Sequence, residues 1–254
     1  SSGGGDSGDS EQKEVSVSCQ IACEGLVGHY TFDDDVLDRS GFGNHGIRTN
    51  NVESVSDSKG NSKSAYQFNG TDSVIEIKNP ITGTDQDFTL MLYTKISKYE
   101  HRTDLDCPLG GGNRAGLIDG KTGNANLSLM YCPGWFTQVS GYPQYKYQVW
   151  YQNFQSSCDQ NCVMEDSYFK SDLNIDEYYL FSVTWDSQSN QTRLYQNTNL
   201  LNSANWREYP IGDLLIGGLT NENSYPLNGV IDEVRIYNRS LSNSEISEIF
   251  QSFQ

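Results

Sequence analysis

Short runs of alternating apolar and polar residues fill most of the chain after position 15, and clusters of Gly, Asn and Asp separate them. A period of two is typical of half-buried strands, whereas an amphipathic helix has a period of 3.6. Eight runs are clear, and a strand is predicted in each: 26–32, 64–70, 73–79, 87–97, 178–186, 191–197, 213–219 and 229–238. At least eight strands without a long helical period favour an all-β, antiparallel sandwich.

One helix is predicted, at the C-terminus. Ser242 and Glu245 have the spacing of a capping box. Apolar residues then follow at helical spacing, namely Ile246, Ile249, Phe250 and Phe253. We therefore expect one face of a short helix to pack on the sandwich.

The chain divides into a tail and one domain. Residues 1–14 are Ser, Gly and acidic residues, the composition of a linker or tail. Residues 15–254 are predicted to form one domain, with a Cys- and Tyr-rich insertion at about 99–172 that interrupts the strand pattern. A separate small disulfide domain is the alternative, but the strand pattern resumes directly on the far side.

Composition and charge limit the class of partner. The 254 residues are 35% hydrophobic and 20% charged, too polar and irregular for a helical bundle, a coiled coil or a collagen. The net charge of −16 would repel nucleic acid and an anionic membrane surface. No apolar run approaches the roughly 18 residues of a membrane span. The chain begins with Ser, so we expect a processed or excised segment that has lost its targeting signal.

Six cysteines and four sequons indicate an extracellular or cell-surface location. The cysteines, which are predicted to form three disulfides, are Cys19, Cys23, Cys107, Cys132, Cys158 and Cys162. Cys107 is predicted to pair with Cys132 across a Gly-rich loop, and the other four to pair within or between their two close pairs. Buried thiols or a four-thiolate zinc site in those two pairs are the alternatives. The candidate glycosylation sites are Asn69, Asn126, Asn190 and Asn238.

Five segments together resemble a known family. They are LVGHYTFDDDVLDRSGFGNHGI, SAYQFNGTDSVIEI, FTLMLYTKI, EYYLFSVTWDSQSNQTRLYQN and LLIGGLTNENSYPLNGVIDEVRIYNRSLSNSEI. Their order and spacing, from residue 26 to about 250, are similar to the laminin G-like jelly roll of the concanavalin A-like lectin and glucanase superfamily. The resemblance implies two antiparallel sheets in a curved sandwich with a short C-terminal helix.

Two local features can be interpreted from their residues without the family resemblance. Gly41, Gly43 and Gly46 are predicted to supply backbone freedom for consecutive tight turns, with Asn44 in a left-handed conformation. In the last predicted strand the alternation is imperfect, so an irregularity of the pleat is expected near Ile231.

The resemblance also implies a structural calcium ion. Its ligands would be Asp232 in the last strand, the carbonyl of Gly70, and an oxygen of Asp33 in the acidic turn. Calcium prefers six to eight oxygen ligands, which suits such a set. The alternative is that residues 33–35 form a solvated acidic turn and Asp232 caps a strand end.

Catalytic groups are not apparent in the sequence. Related glucanases place two carboxylates on one strand as Glu-x-Asp-x-x-Glu, and this motif is missing here. Acidic pairs such as Asp232 and Glu233 are adjacent, so their side chains are expected on opposite faces of a strand. His29, His45 and His101 are predicted to be surface or turn residues. We expect a domain that is not an enzyme.

Aromatic residues in the insertion are the candidate ligand or interface site. They are Trp135, Tyr145, Tyr147, Trp150 and Tyr151. Exposed Tyr and Trp rings stack on sugars and also dominate protein interfaces. A third alternative is that one side of this segment is core.

The leading hypothesis for function is a non-catalytic extracellular adhesion or assembly module that contacts other proteins or copies of itself. Residues 15–21 alternate well enough to add to a sheet edge, in this chain or in a neighbour. Pairing with a neighbour would give head-to-tail assembly. The alternative is a lectin-like module that binds surface or matrix polysaccharide. A divergent glycosidase or lyase is the third hypothesis.

Overall fold

Two antiparallel β-sheets and one C-terminal helix make up the part of the chain that the computed structural model describes. The described residues are 19–49, 51–78, 87–97, 115–120, 128–133, 147–152, 172–205, 212–218 and 226–254. The strands are β1 Leu26–Tyr30, β2 Gly46–Thr49, β3 Glu53–Val55, β4 Ala65–Asn69, β5 Val74–Ile77, β6 Phe88–Ile96, β7 Ala115–Gly120, β8 Ser128–Pro133, β9 Tyr147–Gln152, β10 Asp172–Leu173, β11 Tyr178–Asp186, β12 Gln191–Gln196, β13 Asn199–Ala204, β14 Leu214–Ile216 and β15 Asn228–Tyr237. The helix is α1 Asn243–Ser252.

The first sheet has eight strands in the order β13-β12-β11-β6-β15-β4-β3, with β1 also paired to β15. The second sheet has seven strands in the order β10-β9-β8-β7-β14-β5-β2. Strands distant in sequence are neighbours in both sheets, as in a jelly roll. The predicted all-β antiparallel sandwich with a short C-terminal helix is confirmed.

The inner core lies between the sheets and consists of side chains from alternate strand positions. In β11, for example, Phe181 and Val183 belong to the inner core, while Leu180 faces the other side of the sheet. Burying large apolar side chains is the main stabilising term of such a fold, at roughly 25 cal/mol per Å² of apolar surface. The period of two that predicted these strands is therefore the signature of their two faces.

All eight strands predicted from alternation are present, with ends that differ by a few residues. The shorter strands β2, β3, β10 and β13 were not predicted. The stretch 99–172, predicted as an insertion, contributes β7, β8 and β9 to the second sheet. This part of the stretch belongs to the sandwich itself.

The last strand changes partner halfway along its length. β6 pairs with β15 on one side, and β4 and then β1 pair with it on the other. A register shift between Ile231 and Glu233 confirms the irregularity predicted near Ile231. Gly229 allows the close approach of β6, because a Cβ there would lie 2.5 Å from the Lys95 carbonyl oxygen.

The outer face of the first sheet is covered by α1 and by the N-terminal segment. Ile246 and Ile249 of α1 are fully buried against this face. The capping box is confirmed, because the side chain of Ser242 accepts from the backbone N–H of Glu245 and the Glu245 side chain accepts from the backbone N–H of Ser242. The sequence signals for the start of α1 and for its apolar stripe were both correct.

Candidate functional site

Residues 38–45, here called the tight loop, lead into β2 and are organised around one buried carboxylate. The carboxylate of Asp38 accepts hydrogen bonds from the backbone N–H groups of His29, Ser40 and Asn44, at 2.8–3.0 Å. Three donors replace the water that this buried acid has lost. They fix both ends of the turn relative to β1.

Further side-chain hydrogen bonds hold the tight loop in place. The Nδ2 group of Asn44 donates to the Val27 carbonyl at 2.9 Å, and the Tyr30 hydroxyl donates to the Asn44 carbonyl at 2.5 Å. Nδ1 of His45 accepts from the Asp38 N–H at 3.0 Å. Burial, with the charge of Asp38, raises the pKa of Tyr30, so its hydroxyl stays a donor even in basic solution.

Phe42 stands at the tip of the tight loop and is 66% exposed. Gly41 and Gly43 flank it with φ of 93° and 76°, the left-handed region that glycine adopts without steric cost. Within the loop, the Phe42 N–H donates to the Ser40 hydroxyl oxygen at 3.3 Å. An apolar ring is therefore presented to solvent on a firmly held turn.

Two predictions about this loop were wrong. Gly46 and Asn44 are not among the described residues with positive φ. Gly46 is needed for space instead, since a Cβ there would lie 3.1 Å from side-chain atoms of Val36 and Ile75. Asn44 acts through its amide group, as described above.

Four charged or titratable residues, here called the outer-face cluster, lie along β1 and β15: the buried His29, Asp232 and Arg235, and the partly buried Glu233. Nε2 of His29 lies 3.0 Å from Oε1 of Glu233, and Nε of Arg235 donates to the same oxygen. Burial opposes ionisation of Glu233, but the His29 hydrogen bond and the Arg235 charge outweigh it and keep the Glu233 pKa below its usual range. His29 is only 3% exposed, so its predicted surface position was wrong.

Asp232 is the second carboxylate of the outer-face cluster. Its Oδ2 accepts from the backbone N–H of Ser58 at 2.9 Å. Burial raises the pKa of Asp232 to about 6, and the charges of Glu233 and Asp57 add to this. A carboxyl group with this pKa changes its charge in the mildly acidic range.

The prediction that Asp232 and Glu233 point to opposite faces was wrong. The register shift interrupts the alternation at this point of β15. The charge of Asp232 acts on Tyr93, which packs in the outer cluster beneath α1. Glu233 binds Arg235, which also donates to the Ile21 carbonyl of the N-terminal segment. Both acids thus lie on the outer face and have internal donors.

The three calcium ligands implied by the resemblance do not meet at one place. Gly70 lies beside Asn228 at the start of β15, whereas Asp232 is four residues further along, roughly 13 Å at 3.3 Å per residue. Asp33 is exposed, and its carboxylate accepts from the Thr31 hydroxyl at 2.7 Å. Within the described ranges, no group of three or more His, Cys, Asp or Glu side chains could hold a metal ion. This set does not fit one calcium site, and calcium binding stays a prediction.

Cys19 and Cys23 form a disulfide, one of the pairings that the sequence left open. Between them, Ile21 and Ala22 pack against the apolar cluster on the outer face of the first sheet. Residues 19–21, which were predicted to extend a sheet edge, therefore cover a sheet face instead. Residues 15–18 of that predicted strand lie outside the described residues.

The other predicted cysteines fall where side chains are not described. Cys107, Cys158 and Cys162 lie outside the described residues, and Cys132 lies in β8, whose side chains are not described. Three disulfides, and the pairing of Cys107 with Cys132, stay predictions.

The sequons differ in how free their amide groups are. Asn190 is exposed at the tip of the β11–β12 hairpin. The Asn69 side-chain oxygen accepts from three backbone N–H groups of residues 71–73 and so holds a turn. Asn238 is half-buried, and Asn126 lies outside the described residues. Glycosylation at these positions stays a prediction.

The predicted aromatic site residues are Trp135, Tyr145, Tyr147, Trp150 and Tyr151, and the last three lie in β9. The first two are outside the described residues, and the other three are described by their backbone. Tyr147 is in register with Leu173, whose side chain is in the inner core. A ligand or interface site at these residues stays a prediction.

Sequence reasoning missed the exposed apolar side chains of the described residues. Besides Phe42, the large ones are Leu200 at 52%, Ile47 at 49% and Ile175 at 36% exposure. A Phe between two glycines in a polar turn was the available signal for Phe42.

The described residues include no helix long and apolar enough to cross a membrane.

The comparisons with known proteins agree on a lectin-like β-sandwich. A laminin G-type family model, described as the concanavalin A-like lectin/glucanases superfamily, matches residues 69–247. The chain belongs to this superfamily. A search of curated protein sequences finds no significant match.

Solved structures with the same fold come from proteins of different kinds. Domain 4 of AbnA, an extracellular arabinanase of Geobacillus stearothermophilus solved with arabinotriose, is 20% identical with a TM-score of 0.58, covering 89% of this chain and 98% of that domain. A Trypanosoma rangeli sialidase is 17% identical with a TM-score of 0.59, and the match covers 90% of this chain and 33% of the sialidase. The botulinum neurotoxin serotype C1 binding domain is 12% identical with a TM-score of 0.63, covering 91% of this chain and 53% of that domain. These likenesses establish the fold.

Proposed function

We propose that this chain is a non-catalytic extracellular adhesion or assembly module that makes contacts with other proteins. The observation that carries the proposal is the 66% exposed ring of Phe42 on a loop fixed by hydrogen bonds to the buried Asp38 carboxylate and to β1. Large apolar side chains on rigid surfaces are typical anchors of protein interfaces. Ile47 and Leu200 add exposed apolar surface elsewhere on the sandwich.

A non-catalytic role is supported by the way the buried acids are used. Glycosidases hold two carboxylates roughly 5 to 9.5 Å apart on either side of a sugar. Asp232 and Glu233 are instead adjacent, and they accept hydrogen bonds from Ser58, His29 and Arg235. Their donors give these acids a structural role beneath the covering segments. A glycosidase or lyase is retained as the third hypothesis.

An extracellular location is supported by the disulfide between Cys19 and Cys23, because disulfides persist in oxidising compartments. The exposed sequon at Asn190 is compatible with the same location. The net charge of −16 argues against nucleic acid and anionic membranes as partners.

A glycan ligand is the second candidate, and one comparison favours it. The arabinanase domain, which was solved with arabinotriose, is matched over 98% of its length. In this chain, the predicted aromatic residues of β9 would supply the rings that stack on a sugar.

Two assays on the same purified chain separate these functions. The immobilised chain is screened against a displayed library of random 15-residue peptides and, in parallel, against a glycan array. Peptide ligands with micromolar affinity that arabinotriose does not compete with support the protein-contact function. Retention on glycans, with no peptide enriched above an unrelated acidic control protein, would instead establish the lectin-like alternative.

A further inference from the structure

We infer that Phe42 is a preformed anchor that enters an apolar pocket of a protein partner, and that basic side chains border this pocket. The inference rests on the proposed function and adds to it the contact site and the chemistry of the partner. The evidence comes from three properties of the tight loop: its rigidity, its shape and the charge around it.

The tight loop is already ordered before any partner binds. The carboxylate of Asp38 holds three backbone N–H groups, and Tyr30 and Asn44 link the loop to β1. Ordering a flexible loop on binding costs free energy, and a loop that is fixed in advance avoids this cost. A contact through Phe42 thus retains most of the gain from burying the ring.

The shape of the tip favours a pocket over a flat contact. Gly41 and Gly43 place no side chains beside the ring, and a Cβ at Gly43 would meet nothing within 4 Å. The ring therefore stands clear of its neighbours. The two glycines that flank the ring supply no polar side chain that could bind the hydroxyl groups of a sugar. The geometry therefore favours a protein pocket over a glycan.

The charge around the tight loop selects the kind of partner. Along the sequence, residues 19–49 contain five carboxylates and two arginines. Arg39 is bound to Asp35, Lys63 is bound to Asp34, and the Asp38 carboxylate is buried. The whole chain has a net charge of −16. A second copy or an anionic membrane would be repelled, whereas a basic surface would be attracted. The occupant expected at Phe42 is a basic protein surface with an apolar pocket.

The experiment is a peptide selection on the folded chain, followed by affinity measurements on four proteins. The displayed 15-residue library is selected on the wild type, and the enriched peptides are synthesised as probes. They should combine apolar residues with Lys or Arg, and their affinity should fall as NaCl is raised. The variant Phe42→Ala should bind these peptides at least tenfold more weakly than the wild type. Its melting curve should be unchanged, because the ring is exposed.

Two further variants are measured: Leu200→Ala is the control, and Tyr30→Phe tests the preformed loop. Leu200→Ala removes a side chain of similar exposure from β13 of the first sheet and should leave affinity within twofold of the wild type. Tyr30→Phe removes the hydrogen bond to the Asn44 carbonyl without touching the surface. It should weaken binding about threefold, mainly through faster dissociation.

Several results would overturn the inference, and they separate it from the proposed function. Peptides that bind Phe42→Ala as well as the wild type, but do not bind Leu200→Ala, would show a protein-binding module whose site is not Phe42. Enriched peptides that are acidic, or whose affinity does not change with NaCl concentration, would contradict the predicted partner chemistry. Glycan retention that Phe42→Ala abolishes would overturn both the inference and the proposed function.

Discussion

The carboxyl group of Asp232 is buried on the outer face of the first sheet, where a charge is costly. Burial and two neighbouring acids raise its pKa to about 6, from an ordinary value of 3.8. Glu233 is partly buried, but His29 and Arg235 keep its pKa low. Adjacent acids in one strand therefore have pKa values shifted in opposite directions, because His29 and Arg235 lie beside Glu233 and not beside Asp232.

Asp232→Asn should change how stability depends on pH. Because the folded-state pKa is raised, the stabilisation from protonated Asp232 is complete below pH 3.8 and is lost as the pH rises through 6. Asn keeps the acceptor for the Ser58 N–H but does not titrate. The unfolding free energy of the variant, relative to wild type, should therefore rise between pH 4 and 7.5, by up to about 3 kcal/mol. Urea unfolding across this range measures it, and parallel curves for the two proteins would contradict the assignment.

The same two proteins test the calcium prediction. A calcium ion that binds only the folded state would raise the melting temperature as its concentration increases. If Asp232 is a ligand, EDTA should lower the melting temperature of the wild type and leave Asp232→Asn unchanged. Identical responses of both proteins to EDTA would remove Asp232 from any calcium site.

At the scale of elements, α1 and the N-terminal segment cover one face of the first sheet. The apolar surface of α1 is set against Met91 and Leu180, while Cys19 and Ile21 pack at the edge of the same cluster. Arg235 and Arg239 bind the segment through the carbonyls of Ile21 and Glu24. Each covering element thus combines apolar burial with a local restraint, the capping box or the disulfide.

Ser242→Ala should lower the free energy of unfolding by about 1 kcal/mol, because it removes the side chain that caps α1. Glu245 is part of the same motif, and its hydrogen bonds from Arg239 hold its pKa at about 2. Ser247→Ala is the matched control, because the Ser247 hydroxyl bonds within the helix to the Asn243 carbonyl and caps nothing. Urea unfolding should show a clearly smaller loss for the control; equal losses would show that the cap is not the stabilising feature.

Replacing both Cys19 and Cys23 by Ser should cost roughly 2 kcal/mol, the value that loop entropy predicts for such a short closed loop. Wild type in reductant should lose about as much, whereas the double variant should be insensitive to reductant. Chemical unfolding with and without dithiothreitol measures both. A wild type that is equally stable in both conditions would show that this link does not hold the segment.

At the scale of the whole molecule, the net charge of −16 acts on every encounter with another chain. Two copies repel each other at low ionic strength, and salt screens this repulsion. Residues 19–22 already pack on their own sandwich, so they are not available as a strand for a neighbour. Assembly through copies of this chain would therefore have to use residues before this segment or other surfaces.

Full-length chain should sediment as a monomer in 50 mM NaCl, and so should a variant that lacks residues 1–18. This deletion ends before the Cys19–Cys23 disulfide and so preserves the covering segment. Sedimentation velocity at several concentrations is the measurement. Concentration-dependent growth of the full-length chain that the deletion abolishes would support head-to-tail assembly and contradict this expectation.

Local patterns were enough for much of the fold. Strands β6, β11 and β15 are long and strongly alternating, and the start of α1 is encoded by Ser242 and Glu245. The irregularity near Ile231 was visible because one strand failed to alternate. In contrast, β7 to β9 were not recognised, since the glycines, cysteines and aromatic residues of their stretch hide the period of two.

The sequence by itself determined the class of fold, the capped helix, the turn around Gly41 and Gly43, and the acidic charge that restricts the partners. These features depend on residues close together in the chain or on composition. Only the tertiary structure decided that His29 meets Glu233, that Ile21 covers a sheet face, and that the ring of Phe42 remains in solvent. Such facts depend on contacts between residues as much as 214 positions apart. The free energy of these contacts comes from burial and from pairing of residues far apart in the chain, which a local sequence pattern does not predict.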